Sequence, residues 1–444
     1  MARRRGDARR GARVGDVAID PSAPPARNPG VSGAAVAERL GARLDELRER
    51  RGRANAAFFA AEAERVARLC HRMAERFARG GRLLALGESP AARSDARHVA
   101  VEFVHPVIVG KRALPAIALS REGGSLARQV DLVAQPDDVA IAFGTDGASS
   151  DRDAALTVAA LGGCARRGCL TIAFSAAGAE WEFEPPSDDP FVRQELAETL
   201  YHVLWELCHV FFDHRGLLEG REARRVHDSG ASSFLYPFLG ETERGLEDVM
   251  EDVRHSVVLK AEDVGALREQ TLSDNRESLL AAAAALRASF DAGGTLLALG
   301  NGGSATDAMD AVADLREPPH GWPPRRALDL TEDAGILTAI ANDIGTDAIF
   351  ARQVIAYGQS GDALLCLSTS GNSRNVIEAL AEAGRRGLVT VAMVGYDGGR
   401  VAQEGLADHV VVTRSQHIPR IQEAQASAYH ALRELVELTG ADAA

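Results

Sequence analysis

Apolar residues recur at three- and four-residue spacing through AAVAERLGARLDELRERRG (34–52) and AERVARLCHRMAERFARGG (63–81), which predicts amphipathic helix from about Val31 onward. The short apolar run RLLALG (82–87) then reads as a buried strand ending on Gly87. The same cycle restarts near Phe234. Helical stretches ETERGLEDVMEDVRHSVVL (241–259) and RESLLAAAAALRASFDAGG (276–294) precede the strand TLLALG, which ends on Gly300. Each half continues with a helix, a strand running into a loop of small residues, another helix and another strand. The loops read AIAFGTDGASSD (140–151) and LLCLSTSGNSRN (364–375). Each half closes on a long amphipathic segment, QELAETLYHVLWELCHVFF (194–212) and IQEAQASAYHALRELVEL (421–438). Strands alternating with helices predict an α/β fold with a mainly parallel sheet covered on both faces. The repetition predicts an internal duplication: a basic tail without periodicity over 1–30, one domain over 31–212, a charged Gly/Ser-containing linker over 213–233 and a second domain over 234–444.

Composition narrows the class. The 444 residues are 46% hydrophobic and 25% charged, ordinary for a soluble globular chain of two domains. A net charge of −13 disfavours nucleic acid as the main partner, because phosphate backbones select basic surfaces. No apolar run reaches spanning length and no signal-peptide core opens the chain, so no membrane association is expected. Five scattered cysteines without a CxxC pair fit free thiols in a reducing compartment, hence a cytoplasmic location.

Two strand-to-helix turns in the second half suit an anion. GNGGSATD (300–307) lets the backbone approach a ligand closely. STSGNS (368–373) offers the hydroxyls of Ser368, Thr369, Ser370 and Ser373 beside the free N–H groups of a helix start. Together with LTAIANDIGTDAIFARQ, GYDGG and PRIQEAQ, these motifs make residues 240–440 resemble the sugar isomerase (SIS) fold. Within it they resemble the phosphoheptose isomerases, which convert sedoheptulose 7-phosphate to D-glycero-D-manno-heptose 7-phosphate. The resemblance implies tandem three-layer α/β/α domains with long terminal helices, a heptose phosphate as substrate and no nucleotide cofactor. It also implies assembly as a homodimer, a pseudo-tetramer of SIS domains. It gives the phosphate to Ser368, Thr369, Ser370 and Ser373, and sugar contacts to Asn301, Gly302, Ser304, Asp343 and Gln422.

Chemistry in that family passes a proton between two carbons through an enediol, using a glutamate and a histidine; some members bind zinc through His, Glu, Gln and His. In the second half these positions are Asp310, Asp314, Gln422 and His430, with Asp314 and His430 left as an acid/base pair. The aspartate at 314 is one methylene short, and the histidine is lost at 310. In the first half they are His98, Glu102, Gln194 and His202. This set is complete, with Glu102 and His202 expected as catalytic and all four expected around Zn2+. The four-residue spacing puts His98 and Glu102 on one helix face. Gln194 and His202 lie about 12 Å apart along their helix and either converge on one point or serve two sites.

The first half's loops have changed in the opposite sense. GESPAA (87–92) puts Glu88 for asparagine and Pro90 for glycine, and GTDGAS (144–149) keeps Thr145 and Ser149 around Asp146. A carboxylate about 4 Å from a phosphate costs roughly 4 kcal/mol per charge pair at an effective dielectric near 20. The complementary losses lead to the expectation of one composite site, with the phosphate loop from the second half and acid/base residues from the first. The alternative is a non-catalytic phosphosugar sensor or scaffold, including the type that partners a bacterial replication initiator.

Overall fold

The computed structural model describes residues 33–108, 111–145, 150–213, 218 and 245–440. The expected N-terminal tail, nearly all of the expected linker, and Asp146 to Ser149 lie outside the described residues. The first half runs α1 (Gly33–Ala78), β1 (Leu83–Leu86), α2 (Pro90–Val104), β2 (Ala116–Leu119), α3 (Leu126–Val133), β3 (Val139–Ala142), α4 (Asp151–Arg166), β4 (Leu170–Ala173), β5 (Trp181–Glu182) and α5 (Pro190–Asp213). The second runs α6 (Leu246–Asp274), α7 (Arg276–Asp291), β6 (Leu296–Leu299), α8 (Gly303–Arg316), β7 (Ala327–Asp329), α9 (Ala334–Asp343), α10 (Ala351–Tyr357), β8 (Ala363–Ser368), α11 (Arg374–Arg386), β9 (Val389–Gly395), α12 (Gly399–Gln403), β10 (His409–Thr413) and α13 (Ile418–Gly440).

Each half holds a five-stranded sheet whose pairings are all parallel, in the orders β2-β1-β3-β4-β5 and β7-β6-β8-β9-β10. The two orders superpose strand for strand, as duplication requires. β1, β3, β4, β6 and β8 are buried at every residue, because helices cover both faces.

The two helical stretches before Gly81 form one continuous 46-residue helix, α1. Gly52 sits inside it and no proline interrupts it; an interior glycine costs a helix only about 1 kcal/mol. Its counterpart breaks at Asn275, whose side chain donates to the carbonyls of Thr271 and Val412 and accepts from the Val412 N–H. The N-terminal part of α1 and most of α6 are exchanged between the halves, while α1 from Ala54 to Phe77 stays in the first half's core. Leu40, Leu44 and Leu47 of α1 belong to a core with Leu279, Leu286, Leu432 and Leu435 of the second half. Val249, Val253 and Val257 of α6 belong to the core of the first, with Phe59, Trp205 and Phe211. Neither half buries its apolar surface alone.

A buried ionic network lies where α5 and α13 meet. Arg51 of α1 donates from Nε and Nη2 to both carboxylate oxygens of Glu195, at 2.8 to 3.0 Å, and both residues are almost fully buried. Arg268 of α6 donates to the Glu195 carbonyl and Thr199 on α5, and to the Glu423 carbonyl on α13. Burial would raise the Glu195 pKa, but Arg51 foremost, then His430 and Arg268, hold it at about 2. Removing one partner of a buried pair typically costs about 3–5 kcal/mol, because the other charge is left uncompensated. Arg51→Met should therefore lower the unfolding free energy by about that amount in urea titrations, and adding Glu195→Gln should restore part of it. A loss below about 1 kcal/mol would remove this network from the forces holding the halves together.

Candidate active site

α2 packs against α8 and α5, and α13 also packs against α8 and α5, so four helices (α2, α5, α8, α13) face one another between the halves. From α2, His98 and Glu102 project one turn apart, with His98 Nε2 at 4.0 Å from Glu102 Oε1. His202 comes from α5, its ring centroid 5.1 Å from that of His98. α13 contributes Gln422, whose Nε2 lies 3.2 Å from His98 Nε2. Asp307 of α8 faces the other ring nitrogen, with Oδ1 at 3.3 Å from His98 Nδ1. The start of α8 closes the group. A Cβ on Gly303 would stand 1.9 Å from Gln422 Nε2 and 2.9 Å from His98 Nε2, so only glycine permits this approach. The glycine-rich loop of the second half is thereby seated on the His/Glu pair of the first.

All these side chains are buried, and several polar atoms have no partner: Glu102 Oε2, His202 Nε2 and Gln422 Oε1. His98, Glu102 and His202 each offer a ligand atom within 4.8 Å of the others. Two imidazoles, a carboxylate and an amide oxygen form a nitrogen and oxygen donor set that suits a zinc-like ion. Burial, then the like charge of His202, lowers the pKa of His98 well below its ordinary value. Burial pushes Glu102 up to about 7, with Glu206 and Glu423 adding to it and His202 opposing. For His202, burial pulls the pKa down, but the hydrogen bond and charge of Glu423, with Glu102 and Glu198, leave it raised. That bond joins His202 Nδ1 to Glu423 Oε1 at 2.9 Å, so the free nitrogen is Nε2.

The Ser/Thr loop lies next door. Gln425, one turn beyond Gln422 on α13, donates to the Ser368 carbonyl at 3.5 Å. Three residues of helix rise about 4.5 Å, so one turn of α13 links this loop to the His98 group. Ser368 Oγ accepts from the Gly371 N–H, Ser370 Oγ accepts from the Asn372 N–H, and Ser373 stands at the N-cap position of α11 without a side-chain capping bond. Gly371 has φ +60, and a Cβ there would stand 2.2 Å from the Gly398 carbonyl. The loop is thus pinned against the turn after β9. Asn301 joins the two loops: its amide and that of Asn375 donate to each other at 2.9 and 3.0 Å. Gly302 is exposed with φ +59, and Ser304 is buried behind it. Asp343 is exposed at the end of α9 and accepts from its neighbour Asn342.

Gln194 does not join His98, Glu102 and His202. It donates to Asp310 at 2.8 Å and to Asp95 at 3.3 Å, in a second constellation related to the first by the duplication. The long helices serve two sites, because eight residues set Gln194 and His202 about 12 Å apart along α5. In this second group Asp310 also accepts from Ser94 and Tyr429, and His430 Nε2 lies 3.4 Å from both Asp310 Oδ2 and Asp314 Oδ2. Asp310 and Asp314 are buried rather than on a solvated helix face. Burial opposes a charged imidazole, but the bonds to Asp310, Asp314 and Glu195 raise His430 well above its ordinary pKa. Asp310, Asp314 and His430 offer ligand atoms close enough to hold an ion, with Asp310 and Asp314 standing where His98 and Glu102 do in the first group. Thr145 of the altered loop shares a hydrogen bond with Ser175 at 2.6 Å, while Asp146 and Ser149 are not described.

Glu195 and Glu423 were not singled out from the sequence, although each follows its glutamine in the repeated pairs Gln194–Glu195 and Gln422–Glu423. Each bonds the Nδ1 of the other half's histidine.

The SIS domain family matches residues 261–395. Phosphoheptose isomerase of Chlorobium phaeobacteroides is 42% identical over 199 residues, covering 44% of this chain and 86% of that protein. The phosphoheptose isomerase of Geobacter metallireducens is 41% identical over 196 residues, covering 43% of this chain and 96% of the relative. Among solved structures, the C-terminal domain of glucosamine-fructose-6-phosphate aminotransferase from Francisella tularensis aligns with a TM-score of 0.53 at 10% identity. It covers 89% of this chain and 95% of that one, so the two-sheet arrangement as a whole is a shared fold.

The loop geometry makes a prediction free of any assignment. Inorganic phosphate should bind the protein in calorimetric titration. Ser370→Ala with Ser373→Ala should weaken it by roughly tenfold or more, at about 1.5–3 kcal/mol per hydrogen bond to a charged group. Thr145→Ala should leave it unchanged; equal losses from both would show that the two loops had not diverged.

Proposed function

From the premise that the chain belongs to the phosphoheptose isomerase family, we propose that it is a phosphosugar aldose–ketose isomerase working through one composite site. The substrate in this reading is sedoheptulose 7-phosphate, converted to D-glycero-D-manno-heptose 7-phosphate. The observation that carries it is the seating of Gly303 and Gln422 against His98, one helical turn from the Ser368 loop. Phosphate is held by Ser368, Thr369, Ser370 and Ser373, with Asn301, Gly302, Ser304 and Asp343 toward the sugar.

Glu102 acts at carbon and His202 at oxygen. Glu102 removes the C1 proton of the ketose, and the C1–H electron pair becomes the C1=C2 bond of an enediol. The former C2 carbonyl oxygen takes a proton from His202 Nε2. The hydroxyl at C1 then gives its proton to the same nitrogen as the aldehyde forms, while Glu102 returns its proton to C2. Protons and electrons balance with no external oxidant. Glu423, bonded to His202 Nδ1, keeps Nε2 as the exchanging atom. His98, Glu102, His202 and Gln422 would alternatively hold a divalent ion such as zinc, which would polarise the substrate carbonyl in place of the proton from His202 Nε2. Gln422 here replaces Gln194 in the donor set expected from the sequence.

This reading keeps 31–212 and 234–444 as the two SIS units. Homodimer assembly into a pseudo-tetramer is supported by exposed apolar side chains at Ile344, Ile355 and Tyr357. A cytoplasmic location is supported by five free, buried cysteines. Among the described residues, no helix is long and apolar enough to cross a membrane.

Turnover of sedoheptulose 7-phosphate, followed by heptose product analysis, tests the assignment. Glu102→Gln and His202→Ala should each lower kcat by at least about a hundredfold, the usual scale of general acid–base catalysis. Asp314→Asn should leave kcat within a few-fold. The reverse pattern, with only Asp314→Asn inactive, would move the chemistry to the second constellation. Phosphosugar binding without turnover would instead favour a sensor.

A further inference from the structure

His98 is met at both ring nitrogens, and both neighbours come from the second half. Nε2 lies 3.2 Å from Gln422 Nε2, and Nδ1 lies 3.3 Å from Asp307 Oδ1. An amide nitrogen only donates, so Nε2 presents a lone pair to it. A histidine that serves as an ion ligand is neutral, and its one proton then stands on Nδ1, opposite the Asp307 carboxylate. Turning the Gln422 amide over would demand the other tautomer and set the Nδ1 lone pair against that carboxylate. One tautomer satisfies both neighbours. It also leaves the lone pair on Nε2, the nitrogen 4.0 Å from Glu102 Oε1, on the side of the donor set.

The helix explains why Asp307 stands there. Gly303 and Asp307 are one turn apart on α8, and the missing Cβ of Gly303 is what lets α8 approach His98. The face that brings Gly303 to Nε2 therefore brings Asp307 to Nδ1. His98 and Asp307 are 3% and 1% exposed, so bulk water does not compete for the Nδ1 proton. The duplication supplies a comparison. DARHVAVEF (95–103) and DAMDAVADL (307–315) put Asp95 at the matching place on α2. Asp95 meets the Gln194 amide at 3.3 Å, and that amide also donates to Asp310, which stands where His98 does. The aspartate recurs in both halves, but only Asp307 faces a ring at that position.

We propose that Asp307 is a positioning residue for His98: its carboxylate, sent across from the second half, fixes the Nδ1–H tautomer and holds Nε2 ready as an ion ligand. The proposal deepens the isomerase reading and rests on its divalent-ion donor set, though not on which sugar turns over. A carboxylate behind a ligating histidine makes the ligating nitrogen more basic, and losing such a partner typically costs about 10–100-fold in metal affinity. The competing arrangement is a second ion on the Nδ1 side. His98, Glu198 and Asp307 offer atoms within 4.8 Å of one another, and Glu198 Oε1 and Asp307 Oδ2 have no hydrogen-bond partner.

The test uses the full chain, stripped of metal and titrated with zinc against a chromophoric chelator. The parent should take about one ion. Asp307→Ala should weaken zinc binding by about 10–100-fold, and so should Asp307→Leu, which keeps the size of the side chain but accepts no proton. Asp307→Asn should lose less, because its amide oxygen still accepts from Nδ1. Asp95→Ala, the counterpart across the duplication, should stay within about twofold of the parent. A second readout needs no metal: NMR of isotope-labelled histidines in the metal-free protein, with the His98 signals identified by their loss in His98→Gln. His98 should carry its proton on Nδ1 in the parent and shift toward the Nε2–H form in Asp307→Ala and Asp307→Leu. Folding of each variant is checked by circular dichroism, and either Asp307 variant suffices.

The proposal is overturned if these variants bind zinc within about twofold of the parent, or if Asp95→Ala loses as much as they do. A parent His98 protonated on Nε2 overturns it, and so does zinc loss with an unchanged tautomer, which marks a merely structural role. Two ions in the parent falling to one in Asp307→Ala would overturn it in favour of the second-ion arrangement, and a parent that binds no zinc overturns it outright. Turnover of sedoheptulose 7-phosphate is assayed separately. Turnover with zinc affinity unmoved by Asp307→Ala sinks this proposal alone, and the converse pattern sinks the isomerase reading alone.

Discussion

Two glutamates crossing between the halves fix the geometry on which everything else depends. Glu423 on α13 holds His202 of α5, and Glu195 on α5 holds His430 of α13. Each carboxylate is buried, and each is met by cations. Arg51 answers Glu195, and Arg420 answers Glu423 while also pairing with Glu206. Arg51 sits on α1 just past its exchanged part, so the swap between α1 and α6 and the orientation of the histidines are one constraint. Sliding one half against the other would strand at least two buried charges at once.

Within that frame the two constellations differ by where their positive charge comes from. Around His98 and His202 the pocket leaves Glu102 Oε2, His202 Nε2 and Gln422 Oε1 unpartnered, an arrangement costly unless something completes it. Around Asp310 and Asp314 the imidazole of His430 supplies the charge internally, and Ser94, Gln194 and Tyr429 satisfy Asp310. The second constellation is drawn together by His430 Nε2 at 3.4 Å from both Asp310 and Asp314, although Asp314 Oδ2 and His430 Nε2 also make no hydrogen bond. A single exchange of histidine for aspartate, His98 against Asp310, accounts for most of that difference.

Much of the fold was legible because its signals are local. Short apolar runs ending on Gly87 and Gly300, helical periodicity and the doubled loop were enough for two parallel sheets. Helix exchange was not legible, since Leu40 and Leu279 are apolar at helical spacing whichever half they pack upon. The site was half legible for the same reason. His98 with Glu102 is a one-turn pair that spacing reveals, whereas the choice between Gln194 and Gln422 depends on which way each long helix faces. That is set by Arg51, Arg268 and the buried glutamates, all distant in sequence from the residues they orient. Glu195 and Glu423 were in plain view as repeated neighbours of the glutamines, but only burial gives a lone carboxylate significance.

Fusion of the halves is what allows such asymmetry. In a dimer of identical chains, any substitution at the His98 position appears in both sites, and so does its cost. Joined in one chain, the halves vary separately, so Asp310 can stand in one constellation while His98 stays in the other. The altered half still cannot be discarded. α2, α5, α8 and α13 each send side chains to both constellations, and α5 must supply His202 to one site and Glu195 to the other. Loss of the second constellation's packing would release His430 from Glu195 and Phe191, and Glu195 from its place beside Arg51. The same helix that carries His202 would then lose its anchor. Retention of a site without its phosphate loop therefore follows from shared helices, independently of whether that site binds anything.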